Sequence, residues 1–248
     1  MMGTVLRCVR ADYLKAKRSM LNVIYIIVPL ILALAFAGYF HISSWNRTLK
    51  ISAFFEMLGI IYPFLVGIIV GIIAQRESQA GHYQFILSTV SSRTHIYIGE
   101  LCFLLINSLL FYTLAVGSFA LMFPFTSISG YVQVIGLLLL SSTPIYQIHF
   151  LCAFIFGKSA SMGLGIAGSL LSAIMLTGLG DVCWQYIPWA WSVRFMDFWL
   201  LATTNKDAYL QSCSTFYVGI IINIVAILVL FAVSIMWIRL WDGGKEND

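Results

Sequence analysis

The chain is short of charge. Of 248 residues only 14 are Lys or Arg and 10 are Asp or Glu, so charged side chains make up 10%, against roughly a quarter in an ordinary soluble domain. With 60% hydrophobic residues and a mean hydropathy of +0.93, too few polar groups exist to cover a water-facing surface, which excludes a soluble fold. Nucleic acid binding finds no support either, because the formal charge of +4 is spread along the chain. The five cysteines (Cys8, Cys102, Cys152, Cys183, Cys213) never fall in a C-x-x-C spacing, so no metal site is read from them. Their default role is that of small apolar packers, with Cys183 and Cys213 left as a pair that an oxidising outer face would allow. No H-E-x-x-H, G-x-S-x-G or paired-carboxylate pattern is present, so there is nothing from which to build an intramembrane enzyme. The run Cys152 to Ser159 ends in Gly157-Lys158-Ser159 like a phosphate loop, but Cys152 replaces the first glycine and an apolar span precedes it.

What the chain has in quantity is hydrocarbon, cut into six apolar runs: 21–40, 54–74, 99–122, 132–156, 161–179 and 217–238. In lipid each must be helical, since a lone strand would leave its backbone polar groups unpaired. Pro29, Pro63 and Pro144 lie in these runs as bends. At about 20 residues a span, the six leave connectors and no separate soluble domain, so the expected fold is one all-α integral membrane domain, residues 1–248. The basic start runs directly into the first span and is read as an uncleaved anchor. Lys and Arg segregate. Arg7, Arg10, Lys15, Lys17, Arg18, Arg76, Arg93, Lys158, Arg239 and Lys245 fall on one side; Arg47, Lys50, Arg194 and Lys206 fall on the other. The positive-inside rule therefore places both termini in the cytoplasm.

Three connecting segments carry more than a turn requires. Residues 4–20 put Leu6, Val9, Tyr13 and Met20 near one helical face and Arg7, Arg10, Lys17 and Arg18 on much of the rest, the pattern of an elbow helix lying in the membrane interface; a plain topology-fixing basic flank is the alternative. Residues 75–98 form a long cytoplasmic connector, with a short amphipathic helix expected over 81–87 that offers Tyr83, Phe85, Ile86 and Leu87 to a cytosolic partner. The outer loop 180–215 holds Trp184, Trp189, Trp191 and Trp199, four of the seven tryptophans. Such rings settle at the headgroup level, either as simple interfacial anchors or as a hairpin entering the bilayer part-way.

Two ionisable residues fall within apolar runs. Glu56 stands at the outer end of the second span, within reach of Arg47 or Lys50; His149 lies deeper in the fourth, either as a hydrogen-bonded structural residue or as part of a pathway. Gly67 and Gly71 form a G-x-x-x-G, and Gly163, Gly165 and Gly168 give the fifth span a small face, open either to packing within the chain or to a subunit interface.

The assembled pattern of basic elbow, six spans, coupling helix after span two and aromatic outer loop after span five resembles the ABC-2 class of ATP-binding-cassette permeases. Glu77 and Gly81 look like its E-x-x-x-G, and the stretch from Leu87-Ser88 to Ser92-Arg93 like its L-L-S-x-P-x-S-R, with Val90 where a proline is common and Glu100 where a lysine often follows. The phrase from Trp184 to Arg194 is similar to that of lantibiotic immunity permeases of Gram-positive bacteria. That resemblance implies a bacterial plasma-membrane permease subunit, not itself an enzyme. ATP and Mg would be bound by a partner ATPase dimer, docked through Glu77, Gly81, Tyr83, Phe85, Leu87 and Arg93. A second related permease, or a second copy, would complete the pore. The cargo would be an amphipathic peptide meeting Trp184, Trp189, Trp191 and Arg194. An ABC-2 permease for a drug, lipid or polysaccharide would share the docking features, and an ion-coupled secondary transporter using Glu56 or His149 is the rival of another class.

Overall fold

Five of the apolar runs lie in helices that begin three or more residues before them, at Arg47, Arg93, Ile128, Lys158 and Lys206, because backbone hydrogen bonding continues into flanking polar residues that hydropathy does not count. The computed structural model describes residues 2–16, 19–79 and 93–241. Among these the chain is all-helical: α1 (Met2–Ala16), α2 (Val28–Ile42) with a π-helical lead-in (Val23–Ile27), α3 (Arg47–Gln79), α4 (Arg93–Met122), α5 (Ile128–Phe156), α6 (Lys158–Met175), α7 (Trp191–Thr204) and α8 (Lys206–Leu240). Five helices are long and apolar enough to cross a membrane: the segment Val23–Ile42, α3, α4, α5 and α8. The protein is thus multi-pass and membrane-embedded. The expected fifth span, 161–179, corresponds to α6, whose 18 residues rise about 27 Å at 1.5 Å per residue.

α3 is the central post: two thirds of its most apolar window is buried, against 17% for α8 at the periphery. Its closest neighbour is α6, and glycine is the reason. A methyl group at Gly67 would come within 2.6 Å of the Ser161 carbonyl oxygen, and one at Gly165 within 2.9 Å of the Pro63 carbonyl oxygen. Gly67, Gly71 and Gly165 therefore serve packing inside the chain. Gly157 makes the turn between α5 and α6 alone, with φ +87, a conformation side chains with a Cβ resist. The phosphate-loop lookalike is this helix corner.

Pro63 has no N–H for the Gly59 carbonyl one turn back. Ser192 repairs the defect: its hydroxyl donates to that oxygen at 3.2 Å, while the Phe64 N–H donates to Ser169 Oγ at 3.1 Å. Deep in the bundle, the hydroxyls of Tyr25 and Tyr62 lie 3.3 and 3.0 Å from that of Tyr146, and Ser108 Oγ lies 2.9 Å from it, joining four buried segments.

Candidate functional site

Two sites deserve comparison, one at each end of α3. At the end where the connector begins, Glu77 stands two residues before the α3 terminus and accepts a bond from Lys15 Nζ of α1 at 2.7 Å. Lys15 also faces Asp12 at 3.5 Å, and Arg76 Nη1 donates to the Lys15 carbonyl at 3.5 Å. These groups and the buried Glu100 of α4 line a cavity of about 20 Å³, room for about one water molecule. Burial pushes the Asp12 carboxyl up to about 6 despite Lys15, with the Glu77 charge adding to the shift. Burial also pulls the Lys15 ammonium down, yet the bond to Glu77 and the surrounding carboxylates outweigh it, leaving the group above its ordinary value. Glu100, where the resemblance leads one to expect a lysine, is another of those carboxylates.

The far side of the connector is tied as well. Arg93, the first residue of α4, donates through Nη1 to the Trp241 carbonyl and, at 3.5 Å, to that of Arg239, while Arg239 Nε donates to Thr94 Oγ1 at 3.0 Å. The described residues on either side of the segment between Gln79 and Arg93 are thus tied across helices, Glu77 of α3 to α1 and Arg93 of α4 to the end of α8. Gly81, Tyr83, Phe85 and Leu87 lie outside the described residues. Over the residues expected to form the elbow, α1 is helical and packs on α4, where Cys8 sits against Gly99; Leu6 and Tyr13 of its apolar face are exposed.

At the other end of α3 the aromatic loop folds into the bundle. From the α6 terminus it descends through short 3-10 turns (Gly178–Gly180, Trp184–Tyr186, Pro188–Ala190) until Trp189 lies against Gly168, then returns as α7. Trp184 and Trp191 are buried, Trp184 over Gly219 of α8, and Trp189 is half-buried. Irregular backbone needs such protein cover and hydrogen-bond partners. Ser172 Oγ lies 2.6 Å from the Trp189 carbonyl, and Trp191 Nε1 donates to Gln185 O at 2.8 Å. Arg194 fastens the hairpin by donating to the carbonyls of Met175 and Thr177 at 2.6 and 2.8 Å and pairing with Asp181 at 2.8 Å.

Glu56 is held by Ser52 and by Asp197 of α7, while Lys50 instead caps the Phe40 carbonyl at 2.6 Å. Burial pushes Asp197 up to about 8; the Glu56 charge and their mutual hydrogen bond add to the shift, and Arg194, 3.8 Å away, only partly offsets it. His149 is buried, with Nδ1 3.0 Å from Ser161 Oγ, which also reaches the Gly67 carbonyl at 3.1 Å. The sequence reading missed Asp197 and Lys15 as partners and the tyrosine cluster; tyrosines at 25, 62, 112 and 146 inside apolar runs were the available signal. Cys183 and Cys213 are both free.

No family model, curated protein or solved structure matches this chain.

Beside the hairpin, a cavity of about 380 Å³ opens between α5, α7 and α8, walled by Leu137, Phe198, Trp199, Tyr209 and Phe216, with Gln133 as a polar member bonded to Trp199 Nε1 at 3.3 Å. Chemically the hairpin end offers apolar and aromatic surface and one hydrogen-bonded carboxyl pair. The connector end offers ion pairs at the roots of a connector.

Proposed function

We propose that the chain is the permease subunit of an ATP-driven exporter of the ABC-2 class, expelling an amphipathic antimicrobial peptide of the lantibiotic kind from a bacterial plasma membrane. The observation that carries this reading is the double anchorage of the connector: Glu77 is tied to α1 by Lys15, and Arg93 is tied to the end of α8. A partner gripping the residues between them would move four helices together. That is the arrangement a force-receiving segment needs, and it gives no comparable role in an ion-coupled carrier, where His149 would have to leave its bond to Ser161.

In this reading α6 is the sixth crossing, α1 is the cytoplasmic elbow, and both termini lie in the cytoplasm. ATP and Mg bind a partner ATPase dimer, whose closure pushes on residues 77–93 and rocks α3 against α6 and the aromatic hairpin. A second related permease completes the pore. The aromatic cavity beside Trp199 suits the apolar face of a peptide drawn from the outer leaflet, and Trp184, Trp189, Trp191 and Arg194 hold the hairpin that borders it. In this reading the carrying step is mechanical, with ATP hydrolysed in the partner.

Deleting the encoding gene in its source bacterium tests the reading. The expected result is a lower tolerated peptide concentration and more peptide retained in the membrane fraction. Unchanged tolerance and retention across cationic amphipathic peptides would sink the peptide-export assignment.

A further inference from the structure

A groove between α1 and α4 belongs to neither end of α3. Val9, Arg10 and Tyr13 on one side and Ile106, Asn107 and Leu110 on the other wall a cavity of about 390 Å³. Its lining is nearly all hydrocarbon, and Tyr13 and Ile106, 59% and 58% exposed, continue it outward along a helix long and apolar enough to cross a membrane. Asn107 does not stand as an unmet donor there, because Nδ2 is bonded to the Phe103 carbonyl at 2.8 Å. The α1 edge is cationic. Arg10 lines the groove, Arg7 is exposed one turn away, and neither is in an ion pair among the described residues. The neighbouring carboxylate, Asp12, faces the other way, into the cavity with Lys15 and Glu77.

We propose that this groove seats an acyl chain of an anionic phospholipid, with the phosphate on Arg10 and Arg7. Three features select that occupant. The groove follows the junction of an arginine-bearing helix with a membrane-embedded one, so hydrocarbon fills it from the side. Guanidinium groups at one end of an apolar slot match a phosphate at the end of an alkyl chain, through short charge-assisted hydrogen bonds. The same charge repels a cationic peptide. The phospholipid would fix α1 against α4 beside the Lys15–Glu77 pair, making the elbow's position sensitive to membrane composition. The inference rests on the membrane-embedded helices and holds whatever the cargo.

The test uses the full chain purified in mild detergent, offered phosphatidylglycerol or phosphatidylcholine of equal acyl composition, and read by native mass spectrometry. Phosphatidylglycerol should be retained preferentially, and its retention should fall about fivefold for each arginine removed in Arg7→Gln and Arg10→Gln. A benzophenone amino acid at Ile106 should crosslink to lipid. Equal retention of the two lipids, no response to the double variant, or a crosslink to added peptide or to a second copy of the chain in place of lipid would each overturn the proposal. Both arginines are exposed, so the variants leave the packed interior intact.

Discussion

The two ends of α3 hold a carboxylate each, and the two are treated in opposite ways. Glu77 is met by a lysine from a different helix, and the pair is partly open: the Lys15 side chain is 43% exposed. Glu56 is met by a second carboxyl group, Asp197, beneath a hairpin whose Trp184, Trp191 and Phe195 are buried. An ion pair with one half-open partner contributes less to stability than a packed aromatic core and is more readily rearranged; here the Glu77 side chain is 11% exposed. Buried rings packed on glycine contribute much and resist rearrangement. On the proposed reading, the connector end is the one a partner grips and moves, and the hairpin end holds its shape while its neighbours move.

The sharpest break in that comparison is Trp184→Ala. Removing a buried indole that fits against Gly219 should cost ~3 kcal/mol, seen as a large drop in the unfolding temperature of the detergent-solubilised protein. Lys15→Ala should cost less, ~1–2 kcal/mol, because the lysine is 43% exposed although it leaves Asp12 and Glu77 without their cation, while reducing peptide tolerance in cells as strongly as Trp184→Ala does. If the two variants lost stability equally, the division of labour between the ends would be wrong.

Ser192→Ala comes next, because it leaves the Gly59 carbonyl freed by Pro63 without its donor. The expected cost is ~1–2 kcal/mol, with the same substitution at Ser172 smaller because its bond to the Trp189 carbonyl is only partly buried.

The hairpin end should also depend on pH. Asp197 is raised from its ordinary 3.8 to about 8, so the folded hairpin holds a proton that the unfolded chain releases. That contribution to stability is full below about pH 4 and declines as pH rises towards 8. Asp12 has the same sign at the connector end, where its contribution fades as pH rises through about 6. Fluorescence of the hairpin tryptophans, followed from pH 5 to 9, should report loosening that Asp197→Asn abolishes; a native profile already flat over that range would contradict the shared proton.

The sequence made the helices legible because lipid leaves few alternatives to them, and hydropathy located every long one. Boundaries were less legible: residues 47–53 and 206–216 are helical though polar, because a helix does not stop where the membrane does. The aromatic hairpin shows where one-dimensional reading ends. Trp184 and Trp191 look like interfacial anchors by composition, yet which ring faces inward depends on Gly219 and Gln185, partners that no periodicity pairs with them. Glu77 and Arg93 were picked out by their motif, whereas Lys15 and the Arg239–Thr94 tie that give them a mechanical setting lie 62 and 145 residues apart from their partners in sequence.

The central claim is that a partner ATPase acts on the connector between Glu77 and Arg93. The most direct test is to purify the tagged chain from its source membrane in mild detergent and identify what accompanies it by mass spectrometry, for the native chain and for Glu77→Ala and Gly81→Leu. The account predicts an ABC ATPase and a second small permease with the native chain, and loss of the ATPase, with the permease retained, in both variants. A stable native chain that brings no ATPase, or an ATPase bound equally well by both variants, would contradict it.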